Sequence, residues 1–317
     1  MQSPKPLVVI LATGGTIAGK ASKPGDNIGY VAGQVGVSDL VAEIPELAGA
    51  TLETEQIAQI DSKDMGFELW LVLARRVAHH LARPEVAGVV VTHGTDTLEE
   101  TAYFLQRVLA PVKPVVLTAA MRPASALLRD GPQNLLDAVT VAREPSARGV
   151  VAVLAGSVHG AFDLRKLHSY RVDAFGSGDA GVTARVEEGR VRALRSWPQG
   201  AAFGVESLPA DVAAWPAVEI VTSHAGASGA LVRLAAAAGV QGIVAAGTGN
   251  GTLRRDLEAA LIQAQRDGVA ILRSTRCLDG PVLARPDDVL PSAGTLTPVQ
   301  ARIELLLQLM TRAAAVA

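Results

Sequence analysis

The sequence lacks the features that mark disulfide-rich, nucleic-acid-binding and membrane-spanning proteins. It has one cysteine, Cys277, among 317 residues, so no disulfide can form within the chain, which suits a reducing compartment. Its 29 lysines and arginines are balanced by 31 acidic residues, so no basic excess recruits nucleic acid or an anionic membrane surface. No apolar run reaches about 18 residues, so we expect no membrane-spanning helix. This composition favours a small solute as the partner.

Aromatic residues and a secretory leader are also scarce or absent. Only 3% of the residues are aromatic against 49% hydrophobic, so valine, leucine and alanine must fill the core. The chain enters its first apolar strand after six residues, without the longer apolar stretch and small-residue cleavage site of a signal peptide. We therefore expect a cytoplasmic protein, with a chain whose signal has been trimmed as the alternative.

Short apolar runs alternate with helical patterns along most of the chain. Such continuous runs are typical of strands buried on both faces of a parallel sheet, and strand–helix alternation predicts an α/β fold with helices on both faces. The predicted strands are Leu7–Ala12, Val86–Thr92, Val115–Thr118, Gly149–Leu154, Val218–Thr222, Gly242–Ala246 and Val269–Arg273. The predicted helices are Phe67–Leu81, Leu98–Leu109, Pro132–Arg143, Gly229–Ala238, Leu253–Arg266 and a closing helix from Thr297-Pro298 to about Arg312.

Two stretches interrupt the alternation and suggest a domain boundary. Val182–Leu194 alternates like a hairpin that turns at Glu188-Gly189. Ser196–Pro216 contains two Trp-Pro pairs and little periodicity, as expected of a linker. We therefore predict a large N-terminal domain over residues 1–195, a linker over 196–216 and a small C-terminal domain over 217–317.

The first strand ends in an unusual pair of glycines, in "VVILATGGTIAGK". In open α/β sheets, ligands bind beyond the carboxyl ends of the strands, where Thr13-Gly14-Gly15-Thr16 lies. Backbone amides in a glycine turn can hold an oxyanion. The alternative is a simple strand-to-loop turn, which is what a bare glycine pair most often marks. The spacing fits neither the dinucleotide fingerprint nor a Walker loop.

A second strand repeats this design in "VVVTHGTDTLEET". Thr97 followed by Glu100 predicts a helix N-cap with a capping box, so we assign these two residues no chemistry. Thr95 and Asp96 remain, at the mouth of a helix N-terminus where negative charge is stabilised. A hydroxyl and a carboxylate side by side at a strand end resemble half of a catalytic unit.

A hydroxyl nucleophile needs a base, and the six histidines offer no convincing one. None has metal-ligand spacing, and no Gly-x-Ser-x-Gly elbow occurs, so a Ser-His-Asp hydrolase is weakly supported. A lysine can serve if burial and nearby cations lower its pKa toward neutrality. The stretch "AFDLRKLHSY" offers Lys166. On its own, such a lysine is most often an exposed surface residue.

Together, the motifs "TGGTIA" and "HGTDTLEET" resemble the two signature loops of the bacterial L-asparaginase family, which includes glutaminase-asparaginases. The resemblance covers nearly the whole chain through "GYVAGQVGVSDLVAEIPEL", "IDSKDM", "AMRPASALLRDGPQNLLDAV", "AAGTGNGTL", "ILRSTR" and "SAGTLTPVQAR". It implies hydrolysis of L-asparagine to L-aspartate and ammonia, without a cofactor or a metal. It also implies a larger α/β domain, a smaller flavodoxin-like α/β domain and a homotetramer built of tight dimers.

The resemblance also implies roles for individual catalytic residues. Thr16 matches the nucleophilic threonine, and Tyr30 matches the lid tyrosine that orients it. Thr95, Asp96 and Lys166 match the second threonine, its carboxylate and the lysine base. Asp96 is also expected to receive the substrate's α-ammonium group. Mobility of the lid is expected from the glycines of the same stretch, which are Gly19, Gly25, Gly29 and Gly33.

Further residues are implied to bind the substrate. Ser62 matches the residue that holds the α-carboxylate, and Gly15 and Gly94 belong to the loops that surround the substrate. Lys63 stands where the family commonly has glutamine, and either pairs with the substrate carboxylate or points to solvent. Asn250 matches a residue that a neighbouring subunit offers to the site.

The family also contributes a glutamate from the loop that precedes its "SGTL" stretch, and this chain has none between Cys277 and Leu296. Asp279, Asp287 and Asp288 are the candidates to replace it, and Arg285 falls near the missing carboxylate. The preference for asparagine or glutamine therefore stays open at this stage. A glutaminase, an ammonia-supplying amidotransferase subunit and a non-enzymatic solute-binding protein are the alternative functions.

Overall fold

The computed structural model describes residues 6–21, 23 and 26–316, with side chains described up to residue 312. The chain divides into two compact units, one ending at Ser207 and the other beginning at Leu208. This division falls inside the predicted linker, and the domain bounds themselves stay a prediction. In the described part of the chain, no helix is long and apolar enough to cross a membrane.

The first unit contains a mostly parallel eight-stranded sheet. The described strands of the whole unit are β1 (Leu7–Gly14), β2 (Lys20–Ala21), β3 (Tyr30–Val31), β4 (Leu52–Ile60), β5 (Val86–Thr92), β6 (Val115–Thr118), β7 (Val150–Leu154), β8 (Ser157–Gly160), β9 (Arg165–Lys166), β10 (Phe175–Gly176), β11 (Ala184–Glu187) and β12 (Arg190–Ala193). The order in the large sheet is β12-β11-β8-β7-β6-β5-β1-β4. The five strands from β7 to β4 are parallel, and the other three pair antiparallel. Two small pairs, β2 with β3 and β9 with β10, lie outside this sheet.

The sheet is covered by helices because its central strands are apolar on both faces. The helices of the first unit are α1 (Val37–Ala42), α2 (Phe67–Leu81), α3 (Leu98–Leu109) and α4 (Gly131–Ala142). Val8, Val9, Ile10 and Leu11 are all fully buried, although alternate side chains of a strand point to opposite faces. One face packs against α4 in a cluster that includes Val8 and Ile10. The continuous apolar run therefore indicated a doubly covered strand correctly.

The second unit is a smaller α/β structure around a three-stranded parallel sheet. Its elements are β13 (Val218–Thr222), α5 (Ala230–Ala237), β14 (Gly242–Gly247), α6 (Arg255–Arg266), β15 (Ala270–Thr275) and α7 (Pro298–Val316), and the strands lie in chain order. Thr297 and Gln300 form a capping box at the start of α7, because each backbone N–H donates to the other's side chain at 3.1 and 3.3 Å. The predicted two-part α/β architecture is confirmed.

The main element that the sequence analysis missed is β4, which pairs with β1 at the edge of the sheet. Its sequence "LETEQIAQI" neither alternates regularly nor forms an apolar run. As an edge strand it exposes polar side chains, and Glu55 forms a bidentate ion pair with Arg76 of α2 at 2.7 and 2.8 Å. The carboxyl end of β4 nevertheless proves important, because it borders the candidate site.

Candidate active site

Two loops leave the sheet side by side at the carboxyl ends of β1 and β5. We call residues Thr13–Thr16 the first threonine loop and residues Thr92–Thr97 the second threonine loop. The strands are parallel neighbours, and Ala12 pairs with Thr92. The Thr13 hydroxyl donates to the Thr92 carbonyl at 3.0 Å. The fold therefore brings the two motifs together although they lie far apart in the sequence.

The glycine pair of the first threonine loop lets the backbone pass between two neighbours. Gly14 and Gly15 have φ of +111° and +84°, which residues with a side chain rarely adopt. A Cβ on Gly14 would lie 2.4 Å from the Ile60 carbonyl oxygen at the end of β4. A Cβ on Gly15 would lie 2.5 Å from the Gly94 backbone in the second threonine loop. A simple turn does not account for both glycines. The close contact of the Gly14 backbone with Ile60 and of the Gly15 backbone with Gly94 does account for them.

A third loop, Ser62–Asp64 after β4, fixes the second threonine loop from the other side. The Ser62 hydroxyl accepts the Asp96 backbone N–H at 3.1 Å, and the Thr97 hydroxyl donates to the Ser62 carbonyl at 2.8 Å. Thr97 is the N-cap residue of α3, but its side chain makes no cap hydrogen bond. The predicted N-cap position is therefore confirmed, but the Thr97 side-chain bond of the predicted capping box is not formed, because the Thr97 hydroxyl joins two loops instead.

The Thr16 hydroxyl lies against a tyrosine supplied by the β2–β3 pair. Thr16 is 7% exposed, and its Oγ1 is 2.6 Å from the Tyr30 hydroxyl oxygen. Between the two strands, the Asp26 carboxylate accepts the backbone N–H groups of Ile28 and Gly29 at 2.9 and 2.7 Å, which shapes the turn before Tyr30. Gly25, one of the predicted lid glycines, lies outside the described residues.

Lys166 reaches the second threonine loop from β9. Its ammonium donates to Thr95 Oγ1 at 3.0 Å and to Asp96 Oδ1 at 2.5 Å. The side chain of Lys166 is only 18% exposed, whereas that of Asp96 is 51% exposed. Lys166 is therefore no ordinary surface lysine, and Thr95 and Asp96 share one cationic partner.

The five residues predicted to be catalytic line one cavity of about 220 Å³, a volume suited to a small polar solute. Among the described residues, the lining comprises Thr16, Asn27, Ile28, Tyr30, Thr95, Asp96, Met121, Lys166, Ser169 and Tyr170. The sequence analysis gave no role to the other five. Ser169 and Tyr170 end the stretch that offered Lys166, so proximity to that lysine was the one signal available for them.

Of the residues predicted to bind substrate, Thr95 and Asp96 line this cavity, whereas Gly15, Ser62, Lys63 and Gly94 do not. The Lys63 ammonium lies 2.6 Å from the neighbouring Asp64 carboxylate, which raises the pKa of Lys63, and its side chain is 61% exposed. Asn250 lies in the second unit after β14. Its amide exchanges two hydrogen bonds with the Leu283 backbone at 3.0 and 2.7 Å.

The loop that lacks the family's glutamate carries an ion pair of its own. Asp288 binds the Arg273 guanidinium and accepts the Arg285 backbone N–H at 2.9 Å. The Arg285 N–H and the Arg273 charge hold the pKa of Asp288 below its usual range. The Asp288 carboxylate is thus bound by Arg273 and by the Arg285 backbone. The Arg285 side chain is 72% exposed.

His93, inside the second threonine loop, is fully buried and neutral. Burial lowers its pKa to about 4. The Gly94 carbonyl can only accept a hydrogen bond, so Nδ1, at 2.7 Å, carries the ring proton. Nε2 then accepts from the Thr101 hydroxyl, which itself accepts from the Trp70 indole at 2.9 Å. His93 therefore fixes the loop and has no proton to exchange with the cavity.

Within residues 6–21, 23 and 26–316, no group of three or more histidines, cysteines and acidic residues could hold a metal ion. The chemistry available in the cavity comes from two groups of side chains, each containing a threonine hydroxyl. One is a threonine against a tyrosine, and the other is a threonine against a lysine and a carboxylate. These are the components of nucleophilic attack on a carbonyl group.

Comparison with known proteins adds independent findings. The family model of the asparaginase N-terminal domain matches residues 7–199, and that of the glutaminase/asparaginase C-terminal domain matches residues 217–314. L-asparaginase 2 of Bacillus subtilis is 38% identical over 96% of this chain and 82% of its own length. A glutaminase-asparaginase of Pseudomonas fluorescens is 38% identical over 93% of this chain and 84% of its own length. The solved structure of a probable cytoplasmic L-asparaginase from Campylobacter jejuni superposes with a TM-score of 0.91 at 36% identity, covering 96% of this chain and 95% of that one.

Proposed function

The chain belongs to the asparaginase family, and on that premise we propose that it is an L-asparaginase, an amidohydrolase that converts L-asparagine and water to L-aspartate and ammonia. The observation that carries the proposal is the convergence of Thr16, Tyr30, Thr95, Asp96 and Lys166 on one small cavity. Relatives named L-asparaginase and glutaminase-asparaginase match the chain over nearly its full length.

In the proposed first half-reaction, Thr16 Oγ1 attacks the side-chain carbonyl carbon of asparagine. Tyr30, 2.6 Å away, orients the hydroxyl and gives its proton a path to the leaving nitrogen. A C–O bond forms, the C–N bond breaks, and ammonia leaves an aspartyl ester on Thr16. The Gly15 N–H donates to the Ile60 carbonyl at 2.8 Å, so the backbone N–H of Thr16 is the candidate donor to the developing oxyanion.

In the proposed second half-reaction, water hydrolyses this ester. The Thr95–Lys166 pair accepts the water proton as the new C–O bond forms, and the proton is returned to Thr16 as the ester bond breaks. Lysine suits this role because, unlike arginine, it can exist as a neutral amine within a protein. Asp96, bonded to the same ammonium, keeps the lysine directed at Thr95.

The α-groups of the substrate are proposed to be held by residues around the loops. Asp96 presents a half-exposed carboxylate to the α-ammonium. Ser62 accepts the Asp96 N–H through its hydroxyl oxygen, so its own proton can be donated to the α-carboxylate. Lys63 lies next to Ser62 and contributes positive charge there once its bond to Asp64 is exchanged for the substrate.

Ammonia release tests this function directly. Purified protein supplied with L-asparagine alone should release ammonia and aspartate in equal amounts, without any added cofactor. A parallel assay with L-glutamine ranks the second candidate substrate, which the glutaminase-asparaginase relatives suggest. Binding of either amino acid without ammonia release would instead support a solute-binding protein and contradict the proposal.

We further propose a homotetramer built of dimers in which Asn250 of one subunit completes the site of its neighbour. Asn250 is exposed at a strand end of the second unit, a position at which α/β proteins bind ligands. An obligate interface of this kind commonly buries about 2,000 Å² or more. Exposed leucines on α5, Leu231 and Leu234, give the second unit apolar surface to contribute.

Mixed subunits should therefore complement each other. Thr16→Ala and Asn250→Ala chains are each expected to be nearly inactive alone, and co-expression should restore roughly a quarter of wild-type activity, since half of randomly formed dimers are mixed and each has one intact site. Differently tagged chains allow the mixed species to be isolated. A fully active monomer in sedimentation, or no recovery from two folded but impaired variants, would contradict site sharing.

A cytoplasmic location is proposed as well. The similar Campylobacter jejuni structure is titled a probable cytoplasmic enzyme, whereas a Haemophilus influenzae relative at 38% identity is named periplasmic. Cell fractionation would distinguish a cytoplasmic from a periplasmic location.

A further inference from the structure

Lys166 is held at both of its ends by one short stretch of chain. Its ammonium binds Thr95 and Asp96, immediately before α3. Its backbone N–H donates to the carboxylate Oε2 of Glu99, the second residue of α3, at 3.0 Å. Three residues between Thr95 and Glu99 therefore bind the two ends of the lysine.

The backbone contact matters because the strand that carries Lys166 is minimal. β9 consists of Arg165 and Lys166 alone, and its only strand partner in the described sheets is the equally short β10. A two-residue pair contributes little rigidity by itself. A carboxylate acceptor forms a charge-assisted hydrogen bond, roughly twice as strong as a neutral one. The Glu99 carboxylate can thus set where the lysine side chain begins.

We propose that Glu99 is a positioning residue for Lys166, because its carboxylate fixes the backbone from which the ammonium reaches Thr95 and Asp96. Glu99 does not line the cavity and is not proposed to touch the substrate. The inference rests on the proposed function of Lys166 as the base of the reaction.

The surroundings of Glu99 make this tether sensitive to pH. Burial raises the pKa of the Glu99 carboxyl to about 7, and the Lys166 N–H opposes that shift. The charged groups around it are Glu100 on the same helix and Arg165 and Lys166 on β9. Above about pH 7 Glu99 is a carboxylate that holds the Lys166 N–H strongly. Below that pH it is a neutral acid, which is a weaker acceptor. Part of the turnover should therefore be lost as the pH falls through 7.

Two substitutions separate the charge from the hydrogen bond. Glu99→Gln keeps an acceptor oxygen but is neutral at every pH, so we expect kcat at pH 8 to fall about 3- to 10-fold, with KM within about twofold. The part of the pH profile that titrates near 7 should disappear. Glu99→Ala removes the acceptor and should lower kcat by at least about 30-fold, again with little change in KM.

Thermal unfolding distinguishes positioning from a general structural role. Because the pKa of Glu99 is raised in the folded state, its contribution to stability is full below its unfolded pKa and is lost as the pH rises through about 7. Glu99→Gln avoids burying a charge, so its unfolding temperature at pH 8 should be no lower than that of the wild type. A merely structural residue would lose stability and turnover together. Glu100→Gln makes the same charge change one residue along, and it should keep wild-type kcat at pH 8.

The same assays distinguish failure of the proposed function from failure of the positioning role of Glu99. If the wild type releases no ammonia from asparagine, the proposed function is wrong. If the wild type is active and both Glu99 variants keep its kcat and its pH profile, the positioning role is wrong. A drop in kcat for Glu99→Gln matched by an equal drop for Glu100→Gln would also overturn it, because the effect would then be one of net charge.

Discussion

Removing either active-site threonine should lower kcat at least about 1,000-fold and leave the fold intact. Thr16→Ala deletes the hydroxyl proposed to attack the substrate, and Thr95→Val deletes the partner of Lys166 at nearly constant volume. Both residues are 7% exposed at the cavity, so each change removes one polar atom without opening the core.

Serine at each position provides the matched control. Thr16→Ser and Thr95→Ser keep a hydroxyl and lose only a methyl group, so each should retain far more activity than the variant without a hydroxyl. Ammonia release measured alongside circular dichroism separates a catalytic defect from unfolding. Wild-type turnover by Thr16→Ala or by Thr95→Val would remove that threonine from the mechanism.

Replacing Lys166 should have an effect of similar size. Lys166→Met keeps an unbranched side chain of comparable length but cannot take the proton of Thr95 or neutralise Asp96, so we expect turnover to fall at least about 1,000-fold. Asp96 is half exposed, and water can solvate its charge once the ammonium is gone. Aspartate should therefore still bind, which calorimetric titration of the purified variant would detect.

Lys166→Arg tests whether the base or only its charge is needed. A guanidinium preserves the positive charge beside Asp96 but stays protonated at any pH at which the protein is folded. We expect Lys166→Arg to be nearly as inactive as Lys166→Met. Substantial turnover by Lys166→Arg would show that Lys166 acts through its charge, and near wild-type turnover by Lys166→Met would make it a surface residue in functional terms.

Much of the fold could be predicted because burial leaves a direct imprint on the sequence. Val86–Thr92 and Val115–Thr118 are strands with the predicted bounds, and Phe67–Leu81 and Leu98–Leu109 are helices with the predicted bounds. Each is either an apolar run or an amphipathic stretch with a clear start and end. The hairpin turn at Glu188-Gly189 was also predicted correctly, since both residues adopt a positive φ.

The elements that escaped prediction depend on neighbours that are distant in sequence. β4 carries Glu53 and Glu55, which suit an edge strand only because Arg83 and Arg76 lie beside them on the folded protein. The role of Thr97 depends on Ser62, a residue of another loop. Local patterns favoured a capping box there because they contain no information about Ser62.

The candidate site also has parts that could be predicted from the sequence and parts that could not. The two threonine loops could be located from the sequence because each follows an apolar strand. The contacts of Lys166 with Thr95 and Asp96 could not, because nothing in its own stretch distinguishes it from a surface lysine. Only the resemblance to a family singled it out, and Glu99, which binds its backbone, escaped notice because it looks like an ordinary acidic residue of a first helical turn.

The position of β1 between β4 and β5, two strands that follow it in the chain, affects how the protein folds. Val8 is paired with Leu52 on one side and with Gly88 on the other, so the first threonine loop acquires its neighbours only after two long stretches of chain have been closed. Parallel pairing across such separations is slow compared with helix formation. During refolding, helical signal should therefore return well before ammonia release, and enzymatic activity should mark the last stage of the process.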